Sequence, residues 1–271
     1  MGSVHSIVDK KKLYTRGIKG KMIYVMSDIH GNKRRFDSIM KQINLQPEDT
    51  LYVLGDVIDR HPHGGRILRQ LMNMPNVQMI LGNHEYMMLN ALDRPFDEKD
   101  WHQEDEHLRY LYHWYRNGGE VTHAYLKHIN KELRREIFDY LRKLPVNITI
   151  EVNDIKYKLV HGAPVEMYDK ELRRYDDETE HAVWYRLRSH EVLPPDCVVI
   201  HGHTPTWHYQ EANPLRINYG ERRIGIDCGS GFPEMTYRVS EPKGRLACLR
   251  LDDMMEFYSD EIQDEGDDND G

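Results

Sequence analysis

The chain is poor in cysteine, with three in 271 residues at Cys197, Cys228 and Cys248. Thiols so few and so scattered exclude a disulfide scaffold and a cysteine-type zinc site. No apolar run approaches the ~18 residues that a membrane helix needs. Residues 1–21 also lack the apolar stretch of a secretory signal. We therefore expect a cytoplasmic protein with no membrane partner.

Negative charge is concentrated at one end of the chain. The formal net charge is −8, and residues 259–271 hold seven acidic residues and no basic one, so the remainder is almost neutral. A segment of this composition cannot bury enough apolar surface to fold, which predicts a disordered acidic tail at 259–271. The remainder lacks the basic stripe that is typical of nucleic-acid-binding proteins, so we expect no nucleic-acid partner.

Short apolar runs alternate with amphipathic stretches in the first part of the chain. Residues 22–26, 51–54 and 77–81 are apolar enough to predict buried strands, and residues 33–43 place apolar side chains at helical spacing. Strands that alternate with helices are typical of a parallel sheet built from βαβ units. We predict an α/β fold and a single domain over residues 22–258.

Residues 101–144 differ from this pattern because aromatic, Leu, Arg and Glu residues recur there at helical spacing. Breaks at Asn117-Gly118-Gly119 and at Asn130 divide the segment into three predicted helices, which would form a cap or a flank. Strands are predicted again after this segment. They cover residues 146–152, 157–160, 197–200, 223–226 and 246–251.

Five of the predicted strands end directly in a polar cluster. The clusters are 27–32, 55–60, 82–85, 161–162 and 201–204, and they are rich in Asp, Asn, His and Gly. Because sites in open α/β sheets form at the carboxyl ends of the strands, we expect these distant clusters to meet at one edge.

The clusters offer carboxylate, amide and imidazole groups and no thiolate. This donor set suits manganese, iron or zinc, of which manganese is our first expectation. The candidate metal ligands are Asp28, His30, Asp56, Asn83, His161 and His203. One metal with open positions uses fewer ligands than these. We therefore predict two divalent ions that share a carboxylate, at the ~3.5–4 Å separation that suits in-line displacement at phosphorus.

Three of the clusters carry motifs at regular intervals: 28 residues separate Asp28 from Asp56, and 28 residues separate Asp56 from His84. The motifs are Asp-x-His-Gly, Gly-Asp-x-x-Asp-Arg and Gly-Asn-His-Glu. They resemble the signature of the calcineurin-like metallophosphoesterases, and most closely that of the bacterial serine/threonine phosphoprotein phosphatases. The later motifs His-Gly, Trp-x-Arg, Gly-His-Thr-Pro and Ile-Asp-x-Gly-x-Gly extend the resemblance through residues 22–251. It implies a four-layer αββα sandwich of two mixed β-sheets packed face to face and flanked by helices.

The resemblance also implies a role for each site residue. The first metal would be held by Asp28, His30 and Asp56, and the second by Asp56, Asn83, His161 and His203. A water between the ions would lose a proton and attack phosphorus in line. His84 would protonate the leaving alkoxide, with Asp59 orienting its imidazole. Arg60, Arg186 and Asn83 would bind the phosphoryl oxygens.

Some positions depart from the family pattern. Ser27 and His61 stand where these phosphatases commonly have glycine, and His61 would store strain if its φ were positive. Pro205 stands where the nuclease and phosphodiesterase branches have a second histidine, which favours the phosphatase branch. Arg188 or Arg173 is an alternative to Arg186 as the second phosphate-binding arginine.

These observations predict a two-metal phosphatase that hydrolyses phosphomonoesters, either on phosphoserine or phosphothreonine of a protein or in small molecules. The alternative enzyme is a dinucleoside polyphosphate hydrolase, which uses the same metal core. A third hypothesis is a non-catalytic binding scaffold built on the same fold. The presence of all six candidate ligands, together with His84 and Asp59, argues against a scaffold.

Overall fold

The computed structural model describes residues 20–93, 101–172, 174–210, 214–232 and 243–260, with the backbone alone described at 101–104. The strands in these ranges are β1 (Ile23–Met26), β2 (Thr50–Val53), β3 (Val77–Met79), β4 (Asn147–Val152), β5 (Ile155–Val160), β6 (Val198–His201), β7 (Asn218–Tyr219), β8 (Arg223–Gly225), β9 (Ala247–Arg250) and β10 (Met255–Tyr258). The α-helices are α1 (Lys33–Ile43), α2 (Gly64–Met72), α3 (Asn83–Leu92), α4 (Trp101–Arg116), α5 (Glu120–His128), α6 (Lys131–Leu141) and α7 (Glu178–Trp184).

The strands form two five-stranded mixed sheets. The first has the order β10-β9-β1-β2-β3, in which β1, β2 and β3 are parallel, and the second has the order β4-β5-β6-β8-β7, in which β5, β6 and β8 are parallel. All five predicted polar clusters follow strands of these two parallel sets. The carboxyl ends of the sets can therefore bring the clusters together.

Alternating side chains of the strands supply the layers between the sheets and the helices. In β1, Val25 joins a buried cluster between the two sheets, whereas Tyr24 and Met26 face the helices outside the first sheet. The outer face of the second sheet is covered by the segment between β5 and β6, where Leu187 and Leu193 share a buried cluster with Val160 and Val199. The predicted α/β sandwich of two face-to-face mixed sheets flanked by helices is confirmed.

The predicted helical segment forms the three helices α4, α5 and α6, and Asn130 caps α6 by accepting a hydrogen bond from the Leu133 N–H at 2.8 Å. Trp114, Leu126 and Ile137 from these helices are buried in the same cluster as the outer face of the first sheet. The segment therefore flanks that sheet and contributes to its core.

Two further features bear on the sequence predictions. Among the described residues, no helix is long and apolar enough to cross a membrane. The predicted acidic tail starts at Ser259, whose N–H donates to the Leu246 carbonyl at 3.0 Å, and Asp260 lies 2.8 Å from the Arg245 guanidinium. These two residues contact the folded chain, and residues 261–271 lie outside the described residues.

Candidate metal centre

The polar clusters of both sheets contact one another directly. Oδ2 of Asp28, after β1, accepts a hydrogen bond of 3.0 Å from the backbone N–H of His203, after β6. Oδ1 of Asp56, after β2, accepts one of 3.0 Å from the backbone N–H of His84, at the start of α3. The motifs therefore form one site at the carboxyl ends of the parallel strands.

Asp56 lies at the middle of this site, between two groups of imidazoles. Its Oδ2 is 3.6 Å from Nε2 of His30, and its Oδ1 is 3.4 Å from Nε2 of His161. In each group the potential ligand atoms all lie within 4.8 Å of one another: one group contains His30 and His84, and the other contains His161 and His203. The Asp56 carboxylate thus belongs to both groups, which is the position that a carboxylate bridging two metal ions must have.

Three of the four imidazoles are oriented by backbone carbonyl oxygens. The pairs are Nδ1 of His30 with Ile58 at 3.2 Å, Nδ1 of His161 with Leu54 at 2.6 Å, and Nε2 of His203 with Trp184 at 3.1 Å. Because a ring nitrogen that faces a carbonyl oxygen carries the proton, the other nitrogen has a free lone pair in the neutral rings of His30 and His203, and His161 gains one when a metal ion displaces its second proton. This is the state in which histidine binds a metal.

The two remaining candidate ligands lie beside these imidazoles. Oδ1 of Asp28 is 3.9 Å from Nε2 of His30, while its Oδ2 accepts a hydrogen bond of 2.5 Å from the Ser27 hydroxyl. Oδ1 of Asn83 is 2.8 Å from Nε2 of His161. All six candidate ligands are at most 5% exposed. Bulk water therefore competes little for their donor atoms.

The electrostatics of the site favour a cation. Burial raises the pKa of Asp28 well above its usual range, and the charge of Asp227 raises it further. Burial lowers the pKa of His161, but the charges of Asp56 and Asp28, together with hydrogen bonds to Asp56 and Leu54, outweigh this effect and raise the pKa to about 10. The histidine pKa is raised because buried carboxylates stabilise positive charge at this point. The donor set and its charge therefore fit divalent metal ions.

Glu85 holds the loop that carries Asp56. Its two carboxylate oxygens accept hydrogen bonds from the backbone N–H groups of Asp56, Val57 and Ile58 at 2.9, 2.9 and 3.3 Å. Burial and the nearby Asp56 charge raise the pKa of Glu85 to about 7, while the backbone hydrogen bonds oppose that shift. Glu85 and Asp227 both belong to the sequence motifs, but the motifs alone indicate no role for either residue.

Six site residues adopt positive φ angles, which cost side-chain-bearing residues about 1–3 kcal/mol each and cluster at functional sites. They are Asp28, His30, Asp56, Asp59, Arg60 and His203, with φ between 50° and 70°. His61 is not among the residues with positive φ, so the glycine it replaces is not needed for backbone conformation. Its ring instead lies 3.0 Å from the His30 carbonyl oxygen.

His84 and Asp59 form a buried pair beside the candidate ligands. Nδ1 of His84 lies 2.7 Å from Oδ2 of Asp59, and both side chains are fully buried. This contact places the Nδ1 proton between them, so Nε2 faces the site, 3.8 Å from Oδ2 of Asp56 and 3.3 Å from Nη2 of Arg60. In the neutral ring Nε2 accepts the Arg60 N–H, so the pair has the geometry of an oriented acid–base group that donates a proton from Nε2 when the ring is charged.

Two arginines contact residues of the site. Arg60 contacts His84 as described, and Nη1 of Arg186 donates a hydrogen bond of 2.9 Å to the His203 carbonyl oxygen. Arg188 instead bonds through its backbone N–H to Glu191 at 3.0 Å, and Arg173 lies outside the described residues. Of the two alternatives that lie within the described residues, Arg186 is the one with a hydrogen bond to a candidate ligand.

Residues 21–228 match the family model described as calcineurin-like phosphoesterase. The chain belongs to the calcineurin-like phosphoesterase family. It is 33% identical over 144 residues to serine/threonine-protein phosphatase 2 of Escherichia coli K12, an alignment that covers 52% of this chain and 57% of that relative. It is also 38% identical over 71 residues to a symmetrical bis(5'-nucleosyl)-tetraphosphatase of Acidovorax ebreus, covering 26% and 25%.

Both alignments span less than two thirds of the relatives' own lengths. Among solved structures, a metallophosphoesterase from Sphaerobacter thermophilus matches with a TM-score of 0.51 and 16% identity, covering 89% of this chain and 87% of that one. At that identity the match establishes the fold of this phosphoesterase and nothing further.

Proposed function

We propose that this protein is a two-metal phosphatase that hydrolyses phosphomonoesters, with phosphorylated serine or threonine side chains of proteins as its substrates. The position of Asp56 carries the proposal, because its two oxygens face two separate groups of buried imidazoles. A shared carboxylate of this kind suits the two-metal sites that stabilise attacking and leaving oxygens in displacement at phosphorus.

The proposal assigns the ions to six residues whose side chains lie around Asp56. Asp28, His30 and Asp56 would bind one ion, and Asp56, Asn83, His161 and His203 would bind the other. When bound, manganese, iron or zinc would supply an activated water and positive charge against the phosphoryl group. The hydrogen bonds that fix the imidazoles also keep these ligands in place before substrate arrives.

The remaining groups act on the substrate. Arg60 and Arg186 would bind phosphoryl oxygens, since a guanidinium offers paired donors that match them, and the Asn83 amide would add a further donor. Nε2 of His84 would give its proton to the leaving oxygen as the phosphorus–oxygen bond breaks. The Asp59 carboxylate stabilises the imidazolium before this transfer and holds the ring in line.

This proton donor favours a monoester substrate. The alkoxide of serine or threonine is a poor leaving group unless it is protonated, whereas the nucleotide released from a dinucleoside polyphosphate leaves as a stable phosphate anion. The 33% identity to a serine/threonine-protein phosphatase over 144 residues supports the same choice. The shorter match to a bis(5'-nucleosyl)-tetraphosphatase keeps dinucleoside polyphosphate hydrolysis as the second candidate.

Turnover of two substrates tests the proposal. Initial rates on a phosphothreonine peptide and on diadenosine tetraphosphate are measured with added Mn²⁺ and again after treatment with a chelator. We expect metal-dependent hydrolysis of the phosphopeptide at the higher kcat/KM, and Asp56→Asn controls for a contaminating phosphatase. Exclusive hydrolysis of the dinucleotide would overturn the proposed substrate, and no hydrolysis of either would overturn the enzyme class.

A further inference from the structure

The helical segment outside the first sheet contacts the proton-donor pair. The indole N–H of Trp114, on α4, donates a hydrogen bond of 2.8 Å to Oδ2 of Asp59. The same oxygen lies 2.7 Å from Nδ1 of His84. All three side chains are fully buried. One carboxylate oxygen thus accepts from both rings at once.

These two rings are the side chains that orient the Asp59 carboxylate. Its other oxygen, Oδ1, is buried and has no hydrogen-bond partner within the part of the chain that the structure describes. A carboxylate bound through one oxygen is free to rotate unless a second donor fixes that oxygen. The indole N–H of Trp114 is that second donor.

The same segment also fixes the backbone that carries Asp59. Asp59 and Arg60 both have positive φ, at 70° and 64°. The Asp59 N–H donates to the Thr122 hydroxyl, on α5, and the Arg60 N–H donates to the Gly118 carbonyl oxygen, each at 3.0 Å. Two consecutive residues in an unfavourable conformation are therefore held by hydrogen bonds that they donate to α5 and to the turn before it.

Glycine in this turn permits the close contact. Gly118 has a φ of +93°, and a Cβ on Gly119 would lie 2.5 Å from the Trp114 ring. Any side chain at Gly119 would thus displace the indole from its position against the turn. The turn at Gly118 and Gly119 therefore leaves room for the indole in the position from which it donates to Asp59.

We propose that Trp114 is a positioning residue for the proton transfer: through Asp59 it keeps the His84 imidazole aligned with the leaving oxygen. This inference rests on the proposed phosphatase function. In the step concerned, the phosphorus–oxygen bond breaks, the Nε2 proton of the imidazolium passes to the departing alkoxide, and neutral imidazole remains, with its Nδ1 proton still bonded to the ring and donated to Asp59 in a hydrogen bond. The imidazole then regains an Nε2 proton from solvent.

The leaving group distinguishes this role from a purely structural one. Alkyl phosphates need the proton because an alkoxide is a strong base, whereas p-nitrophenyl phosphate releases a stable phenolate without it. Loss of alignment should therefore slow the first class and spare the second. A general loss of folding or of metal binding would slow both classes equally.

The experiment replaces Trp114 in the full chain and compares kcat on a phosphothreonine peptide with kcat on p-nitrophenyl phosphate. Trp114→Phe removes the N–H and part of the ring. Replacement by 3-benzothienylalanine keeps the bicyclic shape and removes the N–H alone, which guards against a folding defect. Trp207→Phe, at a half-exposed tryptophan stacked on His208, is the matched control. Metal content and melting temperature are recorded for every variant.

For both Trp114 replacements we expect kcat on the phosphopeptide to fall roughly 10- to 100-fold and kcat on p-nitrophenyl phosphate to change less than about threefold. In a His84→Asn background the same replacements should cause no further loss on the phosphopeptide. Equal losses on the two substrates, or no loss with 3-benzothienylalanine, would overturn the inference. A wild-type protein that hydrolyses neither substrate would instead overturn the proposed function.

Discussion

The backbone N–H of His203 donates a hydrogen bond to Oδ2 of Asp28, and this contact joins residues 175 positions apart. It connects the loop after β6 in the second sheet to the loop after β1 in the first. The Ser27 hydroxyl, at 2.5 Å, binds the same oxygen. The orientation of one candidate ligand thus depends on both sheets being correctly packed.

Substitution of Gly202 tests this contact. A Cβ at position 202 would lie 2.0 Å from the Ser27 Oγ and 2.3 Å from Oδ2 of Asp28. We predict that Gly202→Ala displaces Asp28 and weakens metal binding and phosphatase activity by at least about 100-fold, as measured by metal titration and kcat/KM. Gly220→Ala, where the nearest atom is Nε of Arg223 at 3.2 Å, should leave both unchanged. Wild-type metal affinity in Gly202→Ala would contradict this account.

His84 is geometrically able to bind a metal with His30 and Asp56, yet we assign it proton donation. We predict that His84→Asn lowers kcat on alkyl phosphomonoesters roughly 100- to 10,000-fold while both ions stay bound. Kinetics and elemental analysis of the same preparation check this. Loss of an ion from the variant would make His84 a ligand, and wild-type activity would remove it from the mechanism.

Arg186 and Arg188 form a natural pair for testing phosphate binding, because only the first contacts a candidate ligand among the contacts described for the two. We predict that Arg186→Ala lowers kcat/KM about 10- to 100-fold, since a hydrogen bond from a charged donor contributes about 1.5–3 kcal/mol. Arg188→Ala should stay within about twofold of wild type. A larger effect at Arg188 would reverse the assignment.

The sequence predicts well those elements whose signals are local. Helix α1 has the predicted bounds of 33–43, because Asn32 caps its start by accepting from the Arg35 N–H at 3.2 Å and Asn44 ends it in the left-handed region. The hairpin of β4 and β5, between the predicted strands at 146–152 and 157–160, likewise turns at Asn153 and Asp154, which are common turn residues and both have positive φ. In these places capping and turn residues determine the structure.

Other elements were missed because their signals are not local. Helix α3 buries residues on several faces, including His84, Met87 and Met88, so its sequence lacks an amphipathic pattern. Strands β7 and β10 were also missed, and β7 contains two residues. Short strands at sheet edges form because neighbouring strands are in place, and periodicity does not identify them.

Some features of the candidate site could likewise be predicted from the sequence, and others could not. Motif order identified the residues that meet around Asp56, and strand ends explain why they do. The contact of Trp114 with Asp59 spans 55 residues and involves a tryptophan at ordinary helical spacing, so no pattern in the sequence indicates it. Support for the loops by Glu85 also required three-dimensional contacts, although its motif was recognised.

Ionisation of Tyr157 is expected to lower the stability of the fold at alkaline pH. It is buried between the sheets, and burial, with a smaller effect of Asp252, raises its pKa to about 12 from 10.0. Between pH 10 and 12 the unfolded chain loses this proton and the folded chain keeps it, so stability falls by about 1.4 kcal/mol per pH unit. We predict that Tyr157→Phe removes this contribution. Urea unfolding of both proteins at pH 9 and pH 11 measures it, and parallel decreases in both would contradict the prediction.

The most direct test of the whole account is the number of divalent ions that the chain binds and needs. The protein is stripped with a chelator, titrated with Mn²⁺, and assayed for phosphomonoesterase activity at each step, beside Asp56→Asn and the surface variant Asp139→Asn. We predict two ions per chain for wild type and Asp139→Asn, with activity returning only when both are bound, and loss of both ions and activity in Asp56→Asn. Full activity after chelation, or saturation at a single ion, would contradict it.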